Sequence, residues 1–392
     1  MQALTLTSIF APQHVVSKIL GVLPFTIQDG RPVFSKLGLC HSFLCIILYV
    51  FVAQSYYQTI FDDTTSGFIT LKILKFITIA RYVGYTAVMI NTFVAVGLTY
   101  KKFVALLSKL YGIDRGLGKL GLETFVVASG YRIKKKMFLL VILEYLIGNI
   151  VSIFSSQFND ISGAFVLLYP RMIGCNLSVT YFGTTLLLEE RFKLVNKFLL
   201  GECFKSRNCT KYPTDPNFCD KIKLSVNIHK ELTRICRAIN SIFSVFFLLW
   251  VTVNFLCLVS DLYIVAYLIS SGQFFNYWQG ELKAFKNVCI YSIEMFYIAR
   301  RSSRLCSQAN RTKTILVGLK VDLSKEEERN TIITSSLELR QFTLQITACR
   351  LFTIDNALLF SICGAAFSYL FIMIQMDKDL NKSLRNVTNS IL

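Results

Sequence analysis

Seven apolar windows divide the chain, at about 37–58, 69–98, 137–159, 163–188, 239–270, 284–299 and 353–376, and the connections between them alternate in charge. Nine basic residues lie between 99 and 136: Lys101, Lys102, Lys109, Arg115, Lys119, Arg132, Lys134, Lys135 and Lys136. Eleven more fall between 189 and 238, and ten between 300 and 352. The alternate connections are nearly bare, with none in 59–68, none in 160–162 and only Lys283 in 271–283. Cytoplasmic loops of membrane proteins hold positive charge and translocated loops do not. About 20 largely apolar residues cross a bilayer as a helix. The pattern predicts an all-α membrane protein with seven transmembrane helices, a cytoplasmic N-terminus and an extracellular C-terminus.

Composition agrees, because 53% of residues are hydrophobic and 33 are Phe. A formal charge of +18 raises nucleic acid as a partner. Here the charge lies on one face of a membrane, where it marks topology beside anionic inner-leaflet lipid, so nucleic acid is set aside. Residues 1–31 show no basic region followed by a cleavage site, and the first span is expected to direct insertion itself. The cysteines fall mostly inside spans or in basic loops, where thiols stay reduced, and no structural disulfide is expected. Cys203, Cys209 and Cys219 lack metal-ligand spacing. His14, His41 and His229 are scattered, so neither a metal site nor an enzyme's nucleophile–base pair can be assembled. No cofactor is implied.

The connections organise the rest. Residues 1–36 form a cytoplasmic N-terminus, 37–188 hold spans one to four, and 239–299 hold spans five and six. Residues 353–376 are the seventh span, and 377–392 an external tail. In the cytoplasmic segment 189–238, EERFKLVNKFLL continues the fourth span without a helix breaker. Ile222, Val226, Leu232, Ile235 and Ile239 then recur at helical spacing. In the segment 300–352, Leu337, Phe342, Ile346 and Cys349 suggest a similar helix leading into the last span. Helices with one apolar face and no membrane to cover it must pack together. A helical anchor domain below the membrane follows, with loops at 205–217 and at 318–330, where Glu326, Glu327 and Glu328 read as a solvated face.

The most specific stretch runs from Leu337 to Met376. Phe342-Thr343-Leu344-Gln345 precedes Thr347-Ala348-Cys349; Leu358-Leu359 and Ser368-Tyr369 follow, with Gln375 near the end. This stretch resembles the C-terminal signature of insect gustatory receptors. Ser368 stands where that family usually has Thr, and Met376 where it has Phe. Glu190-Arg191-Phe192 with Asn196, and Ile228-His229 with Leu232 and Asn240, agree with the same family. The resemblance implies a tetrameric, ligand-gated cation channel whose seventh helices line a central pore. Its partners would be a small-molecule tastant, permeating cations and membrane lipid, with copies of itself or related receptors in the tetramer and no G protein required. Insect olfactory receptors share the architecture; the Ser-Tyr…Gln ending favours taste.

Independently of the resemblance, Ser368, Ile372 and Gln375 lie at i, i+4 and i+7 and share one helix face. A ring of aliphatic side chains gates by dewetting, and a ring of amides coordinates passing ions. The plainer reading makes Gln375 the cap of an ordinary packed helix. By analogy with the family, Tyr369 braces the pore helix. The tail carries two glycosylation sequons, at Asn381 and Asn386.

Charged groups inside spans mark functional cavities. Arg171 and Asp261 lie in the outer thirds of spans four and five, and Arg81 near the middle of span two. Tyr85, Gln157, Tyr169, Asn176, Asn254, Tyr263, Tyr267, Lys286 and Asn287 fall at like depth. Together they would line an outward-facing cup for a small molecule. A buried Arg–Asp pair that only holds helices together is the competing reading. Glu144 and Glu294 lie deeper, where structural pairing or coupling is expected. A bitter or other non-carbohydrate tastant is the first expectation, and a fructose-type sugar the second. A G-protein-coupled receptor needs the opposite charge bias, and a transporter needs helix breaks at midplane, where Pro170 alone lies near a span interior.

Overall fold

A computed structural model of the chain describes residues 10–23, 25–28, 31–62, 69–142, 161–208, 218–270, 278–318 and 326–391. The order begins with α1 (Ala11–Ile19), the antiparallel ribbon of β1 (Phe25–Gln28) and β2 (Arg31–Phe34), and α2 (Lys36–Asp62). Then come α3 (Ile69–Lys119), α4 (Glu123–Ile142), α5 (Ile161–Asn208), α6 (Phe218–Ser270), α7 (Trp278–Val317) and α8 (Glu326–Gln341). A second ribbon, β3 (Thr347–Ala348) with β4 (Phe352–Thr353), leads into α9 (Asn356–Ile391). The fold is all-α apart from these two ribbons, which hydropathy did not anticipate.

Among the described residues, four helical stretches are long and apolar enough to cross a membrane: Lys36–Tyr56, Ile79–Lys119, Phe218–Ala266 and Asn356–Met376. The fourth and sixth apolar windows sit inside α5 and α7, which also carry Arg171, Lys286 and Glu294. The third window begins in α4 and passes into 143–160, outside the described residues.

Helix α6 is the centre of the fold and packs against α3, α5, α7, α8 and α9. Its buried face carries Phe243, Phe246, Phe247 and Trp250: Phe247 meets Tyr181 of α5 edge-on, Trp250 meets Tyr85 of α3 edge-on, and Phe246 stacks on Trp250. Such offset and edge-to-face pairs add to the burial of their area. Trp250 is fully buried, and this depends on Gly174: a Cβ there would overlap the Trp250 ring. Pro170 interrupts the α5 ladder and leaves the Val166 carbonyl without its usual helix donor. The Tyr49 hydroxyl of α2 donates to that carbonyl at 3.4 Å.

Three local expectations are corrected. The loop expected over 205–217 cannot begin before 209, because α5 continues through Asn208. Glu326, Glu327 and Glu328 are not loop but the first turn of α8, where acidic side chains complement the helix N-terminus. The helix expected to run from Leu337 into the last span stops at Gln341. Residues 342–355 are instead held by side chains from elsewhere. Asn310 of α7 receives the Leu344 N–H and donates to its carbonyl, at 3.0 and 3.1 Å. Asn240 and Ser244 of α6 accept from the backbone N–H groups of Thr347 and Cys349. Cys349 and Arg350 take positive φ, 50° and 61°, in the turn between β3 and β4. Asp355 then caps α9 by accepting from the Ala357 and Leu358 N–H groups. Helix α9 itself runs on past Met376 to Ile391.

Candidate functional site

Four charged residues of the apolar windows, Arg81, Arg171, Asp261 and Glu294, converge on one buried network joining α3, α5, α6 and α7. Arg81 pairs with Asp261 at 2.6 Å and donates to Ser260 Oγ at 3.1 Å and to the Cys257 carbonyl at 3.0 Å. Arg171 pairs with Glu294 at 3.3 Å and lies over the Tyr291 ring, 5.0 Å from its centroid. Asn254 joins the two halves, donating to Glu294 Oε2 at 3.4 Å while its carbonyl oxygen accepts from the Tyr85 hydroxyl at 3.3 Å. Cys175 and Cys257 complete the rim against Glu294 and Tyr85. Two cations thus meet two anions, the condition under which buried charge is tolerable.

Of the residues expected around a cup, Arg81, Tyr85, Arg171, Asn254 and Asp261 enter this network. Asn287 is half-buried on α7. Tyr263 is buried two residues beyond Asp261, and Lys286 is half-buried on α7. Tyr169 and Asn176 lie elsewhere. Tyr169 donates to the Leu20 carbonyl at 3.0 Å and stacks on Phe165. Asn176 bonds Gln13 and Ser17 of α1. Both turn toward the N-terminal helix because α5 is apolar nearly all round, and spacing alone does not fix its rotation. Gln157, Glu144 and the Tyr267 side chain lie outside the described residues.

Position along the spans sets Glu294 deeper than Arg171, yet the two touch. Cys257, Ser260 and Tyr291 had no signal beyond their spacing: Cys257 lies four residues before Asp261, and Tyr291 three before Glu294, each on the face of a charged neighbour.

A second set of motif residues forms clamps at the basic end of the bundle. Arg191 is buried and grips Asp114 through two bonds of 2.9 Å, with a third to Ser129 at 3.1 Å. Asn196 donates to the Gln308 carbonyl and accepts from Thr312. His229 is buried edge-on against Phe192, and burial pushes its imidazole down to about 4.

On α9, Ser368, Ile372 and Gln375 are all exposed, and Ser368 donates to the Gly364 carbonyl at 3.0 Å. Tyr369 meets Phe255 of α6 edge-on at 5.9 Å while half its surface stays open. Asn381 and Asn386 fall on the helical continuation of α9, and their side chains lie outside the described residues.

Comparison with known proteins agrees with this architecture. The model of a family described as 7tm chemosensory receptor matches residues 10–379. "Putative gustatory receptor 28b" of Drosophila melanogaster is 23% identical over an alignment covering 94% of this chain and 85% of that protein. "Putative gustatory receptor 28a" of the same species is 29% identical over 43% of this chain and 39% of its own length. Among solved structures, the insect olfactory receptor OR5 from Machilis hrabei superposes with a TM-score of 0.67 at 16% identity, covering 96% of this chain and all of that one. The same receptor in complex with eugenol gives 0.65 at 18% identity, covering 94% of this chain and 97% of that one. At such identities the likeness establishes the fold.

Proposed function

Because the chain belongs to the 7tm chemosensory receptor family, we propose that it is a gustatory receptor acting as a tastant-gated, non-selective cation channel. It sits in the plasma membrane of chemosensory neurons with its N-terminus inside and its C-terminus outside. Four copies, identical or mixed with related receptors, surround a pore lined by α9.

The observation that carries this reading is the state of α9. Its first 21 residues are apolar enough to span a membrane, yet only Ile362 and Ala366 among them are buried. The exposed face bearing Ser368 and Gln375 suits a water-filled path better than lipid, where polar groups are costly. Ile372 on that face would close the path by dewetting, and Gln375 would meet ions through its amide.

A small organic ligand, bitter or otherwise non-carbohydrate, fits the buried network better than a sugar. The carboxylates and guanidiniums are already paired with one another, so a polyol would have to break those pairs. Tyr85 and Tyr291, which touch the network, would offer aromatic faces to an apolar or aromatic guest. A related fold that holds eugenol supports a guest of this kind.

The test is whole-cell current in cells expressing the chain, challenged with bitter compounds and sugars while G-protein signalling is blocked. A ligand-evoked cation current whose selectivity changes in Gln375→Ala is the expected result. A response abolished by the G-protein block would overturn the channel reading, and a response to sugars alone would overturn the ligand class.

A further inference from the structure

A cavity of about 300 Å³ lies apart from the charged network, between α1 and the facing surfaces of α3, α5 and α6. Its volume is at the lower end of the range for small-molecule sites. Val96, Phe103, Val104 and Leu107 of α3, with Leu177 of α5 and Phe243 of α6, supply most of the wall. None of the residues lining it is Asp, Glu, Lys or Arg.

Tyr100 and Tyr111 bring hydroxyls to the wall, and most of its other polar groups are already engaged. Thr99, Ser108 and Thr180 each donate to a carbonyl of their own helix. Ser17 donates to the Gln13 carbonyl. The Gln13 amide nitrogen donates to the Asn176 carbonyl at 2.7 Å and also to Asn176 Oδ1. Two oxygen partners fix which end of that amide is nitrogen, so Oε1 is the end left over. Gln13 is 3% exposed, and its Oε1 has no partner among the described residues. Nor does Nε2 of His14, which lines the same cavity. Burial, and then Lys18 beside it, hold this imidazole below its usual range, so it is neutral at neutral pH. Buried polar atoms of this kind ordinarily find a partner.

We propose that this cavity is a second binding site, distinct from the charged network, for an uncharged lipophilic alcohol. The apolar wall takes the hydrocarbon body. The hydroxyl donates to Gln13 Oε1 and accepts from a protonated His14 Nε2, satisfying both atoms at once. A carboxylate or an ammonium head has no counter-ion on the wall and is excluded by the cost of burying it. Gly21 ends α1 with φ +70°, and the Val22 N–H returns to the Ser17 carbonyl at 2.9 Å. That closing turn brings Val22 and Leu23 onto the wall and fixes α1 as its cover.

The experiment uses the full chain in lipid nanodiscs and a diazirine-bearing decan-1-ol as the probe. Photolabelling should be saturable and map to peptides containing residues 10–23, 96–108 and 176–180. Unlabelled decan-1-ol should compete at least tenfold better than decanoate or decane. Val104→Trp fills the cavity without touching the α1 hydrogen bonds and should abolish the label. His14→Phe keeps the ring but loses the nitrogen, and should erase the preference for decanol over decane. Asn254→Ala, in the charged network, should leave the label unchanged. Equal competition by decane would reduce the cavity to a packing void. Unsaturable label, or label unaffected by Val104→Trp, would also overturn the proposal.

Discussion

Arg81 and Asp261 show how much a single buried charge depends on its partner. Removing one leaves the other uncompensated, at about 3–5 kcal/mol. Arg81→Leu or Asp261→Leu should therefore lower the melting temperature of the purified chain strongly, and the double Leu variant should recover much of the loss. A double variant as unstable as the sum of the singles would refute the pairing. Gly174 is constrained by space: Gly174→Ala drives a methyl into Trp250 and should cost about 1–3 kcal/mol, read in the same melt. His229 couples stability to acid. Its imidazole titrates near 6.5 when unfolded and about 4 in the fold. Between those values the unfolded chain binds more protons, so stability is full above about 6.5 and falls as pH drops toward 4, by on the order of 3 kcal/mol. In His229→Phe, melting temperature plotted against pH should lose most of that slope.

At the scale of elements, the long helices were legible because lipid and water sort residues by hydropathy over tens of positions. The stretch 342–355 was not legible. Leu337, Phe342, Ile346 and Cys349 imitate helical spacing, while the bonds that pull the backbone out of a helix come from Asn240, Ser244 and Asn310. Asn240 reaches Thr347 across 107 positions, and Asn310 reaches Leu344 across 34. No local pattern records such partners. The site divides in the same way: the charges in the spans announced themselves, but which cation met which anion depended on helix rotation. Tyr169 and Asn176 went to the wrong face for that reason. Asn310→Ala strips both partners from the Leu344 backbone and should cost about 2 kcal/mol or more. Asp355→Ala should cost about 1 kcal/mol. Protease nicking within 342–355 should rise in Asn310→Ala; an unchanged digestion pattern would count against the clamp.

At the scale of the molecule, the large apolar exposure is concentrated where a single copy has nothing to cover it. Phe360, Phe367, Phe371 and Ile372 of α9 are all exposed, as are Phe43, Leu44, Ile47 and Phe51 of α2. Lipid satisfies the second set. The first shares its helix with Ser368 and Gln375, and the proposed assembly would cover it with other copies of the chain. Mild oxidation of Ile372→Cys in membranes should give disulfide-linked dimers. Cys363→Ser, which removes the exposed native thiol of α9, serves as the background and by itself should not form them. Dimers in both, or in neither, would remove α9 from the centre of the assembly.

Helix α6 is unbroken from Phe218 to Ser270, and the charged network and the Ser244 clamp sit on the same rod. Asp261 and Ser244 are seventeen residues apart, about 25 Å along the axis. With the rod pivoted at Asp261, a tilt of only about 5° swings Ser244 by about 2 Å. That displacement acts directly on the segment from which α9 starts. An unbroken rod gives this leverage without any hinge, so modest work done beside Asp261 arrives at the foot of α9 as motion on the scale of an atom's width.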